Sequence, residues 1–231
     1  HTPTRRQRQM CIRDSDSATL YLNSIDLDQV QQIEVIAGSA GTLYGNQAVG
    51  GLINIITQQP NLGSETQARL GFGSYQAKEV MVKHQSRLDN GFGLNLAARK
   101  QTSDNYREHN ASDIRQLLAE VDYTQPGSRS VFSLRYLDDY IDTPGAIFAD
   151  EMAADRRQVT ADFVGDYSDT QSYTLHLGTN QTLNSAWKLA AELTYQDDTR
   201  DFIQSFRGFP GSKSTQDRET WSLNSRLTGQ H

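Results

Sequence analysis

The sequence predicts a mostly-β chain, and three observations carry that prediction. Eight segments beyond residue 63 alternate apolar and polar residues with the period of two that a strand imposes. No apolar run approaches the ~20 residues that a membrane-spanning helix needs. Before those segments, Gly38, Gly41, Gly45, Gly50 and Gly51 crowd the stretch between a short strand at 33–36 and an apolar strand at 52–56 that Pro60 stops. Glycine reaches φ > 0 without steric cost, so such a cluster suits repeated backbone reversal.

Composition narrows the function classes. The 231 residues carry a net charge of −6, which disfavours nucleic acid as a partner because phosphate binding needs clustered Lys and Arg. Only 36% of residues are hydrophobic. That average is compatible with a membrane wall made of strands, since only every second residue must face lipid. Cys11 is the single cysteine, so no internal disulfide forms. The five histidines, His1, His84, His109, His176 and His231, show no metal-ligand spacing, and neither metal nor cofactor is expected. His176 reads as a polar wall residue.

Catalytic constellations are not found. Gly45-Asn-Gln-Ala-Val-Gly50 is followed by Gly51-Leu52 where a phosphate-binding loop requires Lys and Ser or Thr, and Gly-x-Gly-x-x-Gly does not occur in the cluster. Asp138-Asp139 and Asp197-Asp198 fall at strand ends and read as solvated charges. Ser130 and Ser133 have no nucleophile-elbow context. The chain is not expected to be an enzyme.

Residues 1–15 stand apart. Arg5, Arg6, Arg8 and Arg13 precede the first acid, Asp14, with neither an initiator Met nor an apolar signal core. A basic nucleic-acid arm is one reading. The preferred one is that the segment is non-native or disordered, because Arg-Gln-Met-Cys-Ile-Arg-Asp-Ser at 8–15 resembles translated sequencing-adapter sequence.

The strands follow in order. Ala68, Leu70 and Phe72 share one face. Val80 and Val82 oppose Met81, Lys83 and Arg87. Phe92, Leu94, Leu96 and Ala98 oppose Asn95 and Arg99. Leu117, Ala119, Val121 and Tyr123 oppose Glu120 and Asp122. Phe132, Leu134 and Tyr136 oppose Ser133 and Arg135, and Tyr173, Leu175 and Leu177 oppose Thr174 and His176. Trp187, Leu189, Ala191, Leu193 and Tyr195 oppose Lys188, Glu192 and Gln196. Trp221, Leu223 and Leu227 oppose Asn224 and Arg226. The apolar faces hold Lys or Arg only at strand ends, at Lys100 and Arg115. A lipid-facing Arg or Lys near the midplane costs ~2–4 kcal/mol, so this matters.

Aromatic residues gather near both ends of the apolar faces: Phe92, Tyr123, Phe132 and Trp187 at one, Tyr173, Tyr195 and Trp221 at the other. A soluble sandwich would share the alternation but does not need two girdles. Connections alternate in length: short turns at 89–91, 125–128 and 184–185, and longer ones at 102–112, 139–170 and 198–217, with a tight first turn near Tyr75-Gln76. Val159, Ala161, Phe163, Gly165 and Tyr167 also alternate. Counting them as a membrane strand would invert the next connections, so they are assigned to a hairpin or strand extension inside the third long loop.

The stretch Ile33-Glu-Val-Ile-Ala-Gly-Ser-Ala-Gly-Thr-Leu-Tyr-Gly-Asn-Gln-Ala-Val-Gly-Gly-Leu-Ile-Asn-Ile-Ile-Thr57 resembles the end of the plug domain of TonB-dependent outer-membrane receptors. That family's pattern reads roughly I-E-V-x-x-G-P-x-S-x-L-Y-G-x-x-A-x-G-G-V-I-N-I-I-T. Two departures stand out: Gln32 where the family carries Arg, and Ser39 where it carries Pro. The resemblance implies a C-terminal part of a plug at 16–62, then at 63–231 about eight antiparallel strands of an incomplete transmembrane β-barrel, with about 22 in the whole protein. In this reading the chain is a fragment, and an open sheet edge facing lipid would not be viable alone.

The resemblance also implies a location in the bacterial outer membrane, a monomer embedded in its lipid, and active import of a large scarce solute. A ferric siderophore or other iron chelate comes first; cobalamin, another cofactor or a glycan is the alternative, as is a β-sheet binding module without transport. Energy would come from the TonB complex of the inner membrane, through a segment outside this chain. The plug motif residues Glu34, Gly38, Tyr44, Gly45, Gly50, Gly51 and Asn54 are assigned structural and plug–barrel roles. The short turns are implied to be periplasmic and the long loops external. Candidate ligand contacts in those loops are Tyr106, Arg107 and His109, then Phe148, Arg156 and Arg157, then Phe206, Arg207 and Phe209.

Overall fold

The computed structural model describes residues 30–38, 51–58 and 63–229, which fall into two units dividing between residues 59 and 60. Each is described by itself.

In the first unit, β1 (Val30–Ala37) pairs antiparallel with β2 (Gly51–Thr57), with Ile33 opposite Ile55 and Val35 opposite Ile53. Their β-branched residues fit the pleat. Gly51 begins β2 at φ 148°, and a Cβ there would lie 2.8 Å from the Ile36 carbonyl oxygen. Glycine is therefore required at this close approach. Gly38 leaves β1 at φ 91°. Glu34 faces Asn54 across the pair and accepts a hydrogen bond from Gln32 Nε2 at 3.3 Å, so the residue standing where the family has Arg still reaches this carboxylate. Tyr44, Gly45, Gly50 and residues 1–15 lie outside the described residues.

The second unit is one antiparallel meander: β3 (Gly63–Phe72), β4 (Lys78–Arg87), β5 (Phe92–Ser103), β6 (Ser112–Gln125), β7 (Ser128–Asp142), β8 (Tyr167–Thr182), β9 (Trp187–Ile203) and β10 (Lys213–Gly229), each bonded to its sequence neighbours. All eight strands expected from the alternation are present. β3 and β10 are the edges among the described strands.

Burial in this sheet is inverted relative to a water-soluble domain. Asp122, Lys83, Asn95, Glu120, Ser133, His176 and Asp198 are buried, with Asp122 only 2% exposed. Leu70, Phe72, Leu117, Leu177, Trp221 and Leu223 are exposed, Leu223 by 72%. The hydrophobic effect forbids that arrangement in water. The exposed face needs an apolar solvent, and on the polar face charged and hydroxyl groups pair with one another. Arg87 donates to both Asp122 carboxylate oxygens at 2.9 and 2.8 Å, Thr124 Oγ1 donates to Asp122 at 2.9 Å, and Arg129 approaches at 3.4 Å. On the apolar face, the hydroxyls of Ser130 and Thr179 meet each other at 3.0 Å, which leaves neither without a partner.

The register also carries a slant. At one end Phe92 pairs with Tyr123, their rings 4.7 Å apart. At the other, Tyr136 pairs with Tyr173 at 4.9 Å and Tyr195 with Trp221 at 4.6 Å. Tyr195 itself faces Leu175, two positions short of Tyr173. The residue opposite Tyr123 across β7, β8 and β9 is Ala191, so Trp187 lies four positions further toward the short turns. Both aromatic belts therefore step the same way along the strands, as the tilt of barrel strands against a flat membrane demands.

Turn positions agree with the sequence, while strand ends differ from it. Tyr75 and Gln76 turn at φ 58° and 54°. β7 and β8 run on to Asp142 and from Tyr167, so the third long loop is 143–166. β9 and β10 pair as far as Ile203 opposite Lys213, shrinking the fourth from 198–217 to 204–212. Residues 159–167 form neither hairpin nor extension. Ala161–Phe163 is a 3-10 turn with Phe163 buried, and only Tyr167 belongs to β8. The Phe163 ring sits against Gly145, at φ 58°, where a Cβ would overlap it. The alternation there reflects one buried aromatic in a loop.

Candidate functional site

The long connections lie together at one end of the sheet, and their side chains tie them into a single layer. Tyr106, Arg107 and His109 belong to the 104–111 loop. Asn105 and His109 adopt left-handed φ of 56° and 49°, and Asn105 Nδ2 bridges the loop by donating to the Asn110 carbonyl at 2.6 Å and Ser112 Oγ at 3.1 Å. Asn is among the few non-glycine residues at ease there.

Arg107 spans into loop 143–166, donating to the carbonyls of Gly145, Pro144 (3.3 Å) and Gln158 (2.8 Å). His109 Nε2 lies 2.8 Å from the Asp166 carbonyl oxygen. Arg157 returns the contact. Its Nε donates to the Tyr106 carbonyl at 3.0 Å, and its guanidinium stands 5.6 Å from the Tyr75 ring and 5.9 Å from the Tyr106 ring, which themselves meet edge-on at 5.8 Å. A guanidinium between two rings gains from both faces.

Loop 143–166 also carries a short helix, α1 (Ala149–Ala154), capped from one side only: the Phe148 N–H donates to the Glu151 carboxylate at 2.7 Å. Glu151 accepts both terminal nitrogens of Arg207 at 2.8 and 2.6 Å, and Arg207 stacks 4.1 Å over the Phe148 ring. Arg207, and after it the Phe148 N–H, hold the Glu151 carboxyl below its usual range, while Glu151 raises the Arg207 guanidinium. Arg207 sits in a tight turn closed by paired backbone bonds between Phe206 and Phe209, with Gly208 at φ 75°. Phe206 and Phe209 point outward, 67% and 72% exposed, and Arg156 is exposed.

Of the nine loop candidates, the structure thus engages Tyr106, Arg107, His109, Phe148, Arg157 and Arg207 in loop-to-loop contacts, and leaves Phe206, Phe209 and Arg156 facing solvent. Sequence reasoning missed Tyr75, Glu151, Asp166 and Ser205. Asp166, 3% exposed, accepts the Ser205 N–H at 2.7 Å and its Oγ–H at 2.6 Å. Glu151 had a local signal, three residues after the helix cap; Asp166, 39 residues from Ser205, had none. Among the described residues, no group of three or more His, Cys, Asp or Glu side chains could hold a metal ion.

Known proteins match this architecture. The family model described as the TonB-dependent receptor plug domain matches residues 5–52, starting within the segment set apart above as 1–15. The vitamin B12 transporter BtuB of Vibrio cholerae serotype O1 is 27% identical over 190 residues, covering 79% of this chain and 30% of the transporter. The ferric citrate transporter FecA, in its unliganded form, superposes with a TM-score of 0.69 at 22% identity, over 87% of this chain and 31% of FecA. The ferric yersiniabactin uptake receptor FyuA of Yersinia pestis gives a TM-score of 0.72 at 16% identity, over 88% of this chain and 34% of FyuA. At those identities the superpositions show the fold. The chain spans about 30% of the length of the curated relatives it matches.

Proposed function

Because this chain belongs to the TonB-dependent outer-membrane receptors, we infer that the protein it forms part of imports a large, scarce solute, an iron chelate foremost, across the bacterial outer membrane. The observation that carries this reading is the inverted sheet: an apolar face bounded by two slanted aromatic belts, and a buried polar face suited to a water-filled or plugged lumen. The long loops are then external, and the short turns after β4, β6 and β8 periplasmic.

In this mechanism the solute meets the loop layer first, with Phe206, Phe209 and Arg156 placed to touch it and the remaining candidates shaping the surface beneath. Energy arrives from the TonB complex, and the plug, whose last strands are β1 and β2, rearranges to open a path. The reading includes no catalytic step, and the receptor acts as a monomer. A cobalamin cargo is the second reading, favoured by the similarity to BtuB.

The test is complementation. The full-length receptor is expressed in a strain lacking its own ferric-chelate and cobalamin receptors, and growth is scored on each cargo with and without TonB. Growth rescued by an iron chelate only when TonB is present supports the first reading. TonB-dependent rescue by cobalamin alone selects the second, and rescue that ignores TonB overturns both.

A further inference from the structure

Loop 143–166 is held on its two sides by different chemistry. Toward the 104–111 loop, carbonyl oxygens are the principal acceptors: those of Pro144, Gly145 and Gln158 for Arg107, Tyr106 for Arg157, and Arg157 for the Glu108 N–H at 2.7 Å, with the Asp166 carbonyl 2.8 Å from His109 Nε2. Carbonyls do not titrate and are not exchanged for solvent ions. The bonds are also spread along both limbs of the loop. Toward the 204–212 loop, the contacts converge on two carboxylates, Asp166 and Glu151.

Those two carboxylates differ in place. Asp166 is buried immediately before β8, and its partner Ser205 is fixed in turn by the Gly211 N–H at 2.8 Å. Glu151 lies out on α1, and the side chains of Glu151 and Arg207 keep 25% and 33% of their surface exposed. The acids Asp150 and Asp162 also lie near Arg207 and offer it other partners. An ion pair this open is weakened by solvent and salt. Ordering the bonds by burial and chemistry gives one that yields first.

We propose that loop 143–166 is a strap, hinged on the 104–111 loop and latched to the 204–212 loop by Glu151 and Arg207. Opening breaks the bidentate pair and lifts Phe148 from the Arg207 guanidinium. The hinge side stays closed, and so does the Asp166–Ser205 root. The strap frees a guanidinium and an aromatic face in one movement, at the mouth where a solute arrives.

The experiment uses the full-length receptor in lipid nanodiscs, with every native cysteine replaced by serine and spin labels on introduced cysteine pairs. One pair, Ala153→Cys with Ser212→Cys, crosses the latch; the other, Ala153→Cys with Asp104→Cys, crosses the hinge. E151Q should enlarge the long-distance population of the latch pair about two- to fivefold, as loss of a part-exposed ion pair allows. The hinge pair should not change, and the charge swap E151R/R207E should restore the latch distance, which a general folding defect would not permit. Unchanged latch distances in E151Q, or equal lengthening of both pairs, would overturn the proposal. The readout is a distance, so a wrong cargo assignment would leave it standing.

Discussion

The two faces of the eight-stranded sheet share one backbone and obey opposite rules. On the outward face, Leu177, Leu193 and Leu223 lie in one register row, with Leu177 and Leu223 exposed and Leu193 half-buried. On the inward face one residue away, Asp122 is buried under two guanidinium groups and a hydroxyl. The difference teaches that the solvent, rather than the strand, decides which side chains a sheet hides. On the outward face the hydroxyls of Ser130 and Thr179 answer each other, while much of the inward face is built from polar groups that hold one another.

The largest expected effect comes from breaking the inward face at its centre. Asp122→Ala removes the buried carboxylate that Arg87 and Arg129 share, leaving them only weaker partners such as the Gly91 carbonyl and Glu120, and should cost about 3–5 kcal/mol, read as a lowered denaturation midpoint of the receptor folded in vesicles. Next comes a test of the faces on adjacent residues. Leu223→Arg should cost about 2–4 kcal/mol, and Ser222→Arg, pointing into the lumen, under about 1 kcal/mol. Equal costs in that assay would break the comparison outright.

A smaller effect sharpens the edges of the apolar face. Trp221→Leu keeps a hydrophobic side chain but removes the ring contact with Tyr195, and should cost about 0.5–1.5 kcal/mol.

The smallest effect lies beyond both faces. Because the Glu151 carboxyl titrates below its usual range in the folded loops, its contact with Arg207 is complete above the ordinary glutamate range and is lost as pH falls through that lowered value. Hydrogen exchange of residues 149–154 should therefore be flat from pH 7 down to about pH 5, after correction for intrinsic rates, and rise only below. In E151Q that acid-dependent rise should vanish.

Much of this fold is legible because lipid on one side forces an alternation that water on both sides does not. That is also where legibility ends. Past the belts, Asp197, Thr199 and Asp201 of β9 and Thr215, Asp217 and Glu219 of β10 share the outward face with Tyr195 and Trp221, yet they are polar because they stand clear of lipid. With both faces wet, the pattern vanishes although the ladder continues to Ile203 and Lys213. In the loops, residue type pointed to Arg107, Arg157 and Arg207, but the groups their guanidiniums hydrogen-bond sit 37 to 56 residues away in sequence. Composition suggests a basic residue free to meet a solute; only the fold reveals that its guanidinium is already holding another loop.

The strands lengthen steadily, from ten residues in β3 and β4 to 17 in β9 and β10. Measured from the slanted belt, the extra length stands on the side of the long connections: Ile203 and Lys213 each lie eight positions beyond Tyr195 and Trp221, a rise of roughly 25 Å along the strand. The rim of this sector is thus a ramp, a low sill at β3–β4 climbing to a parapet at β9–β10. Within this sector, a body too wide to pass the rim would meet the parapet before the sill. The sill, closed by a five-residue turn, stands in its shadow.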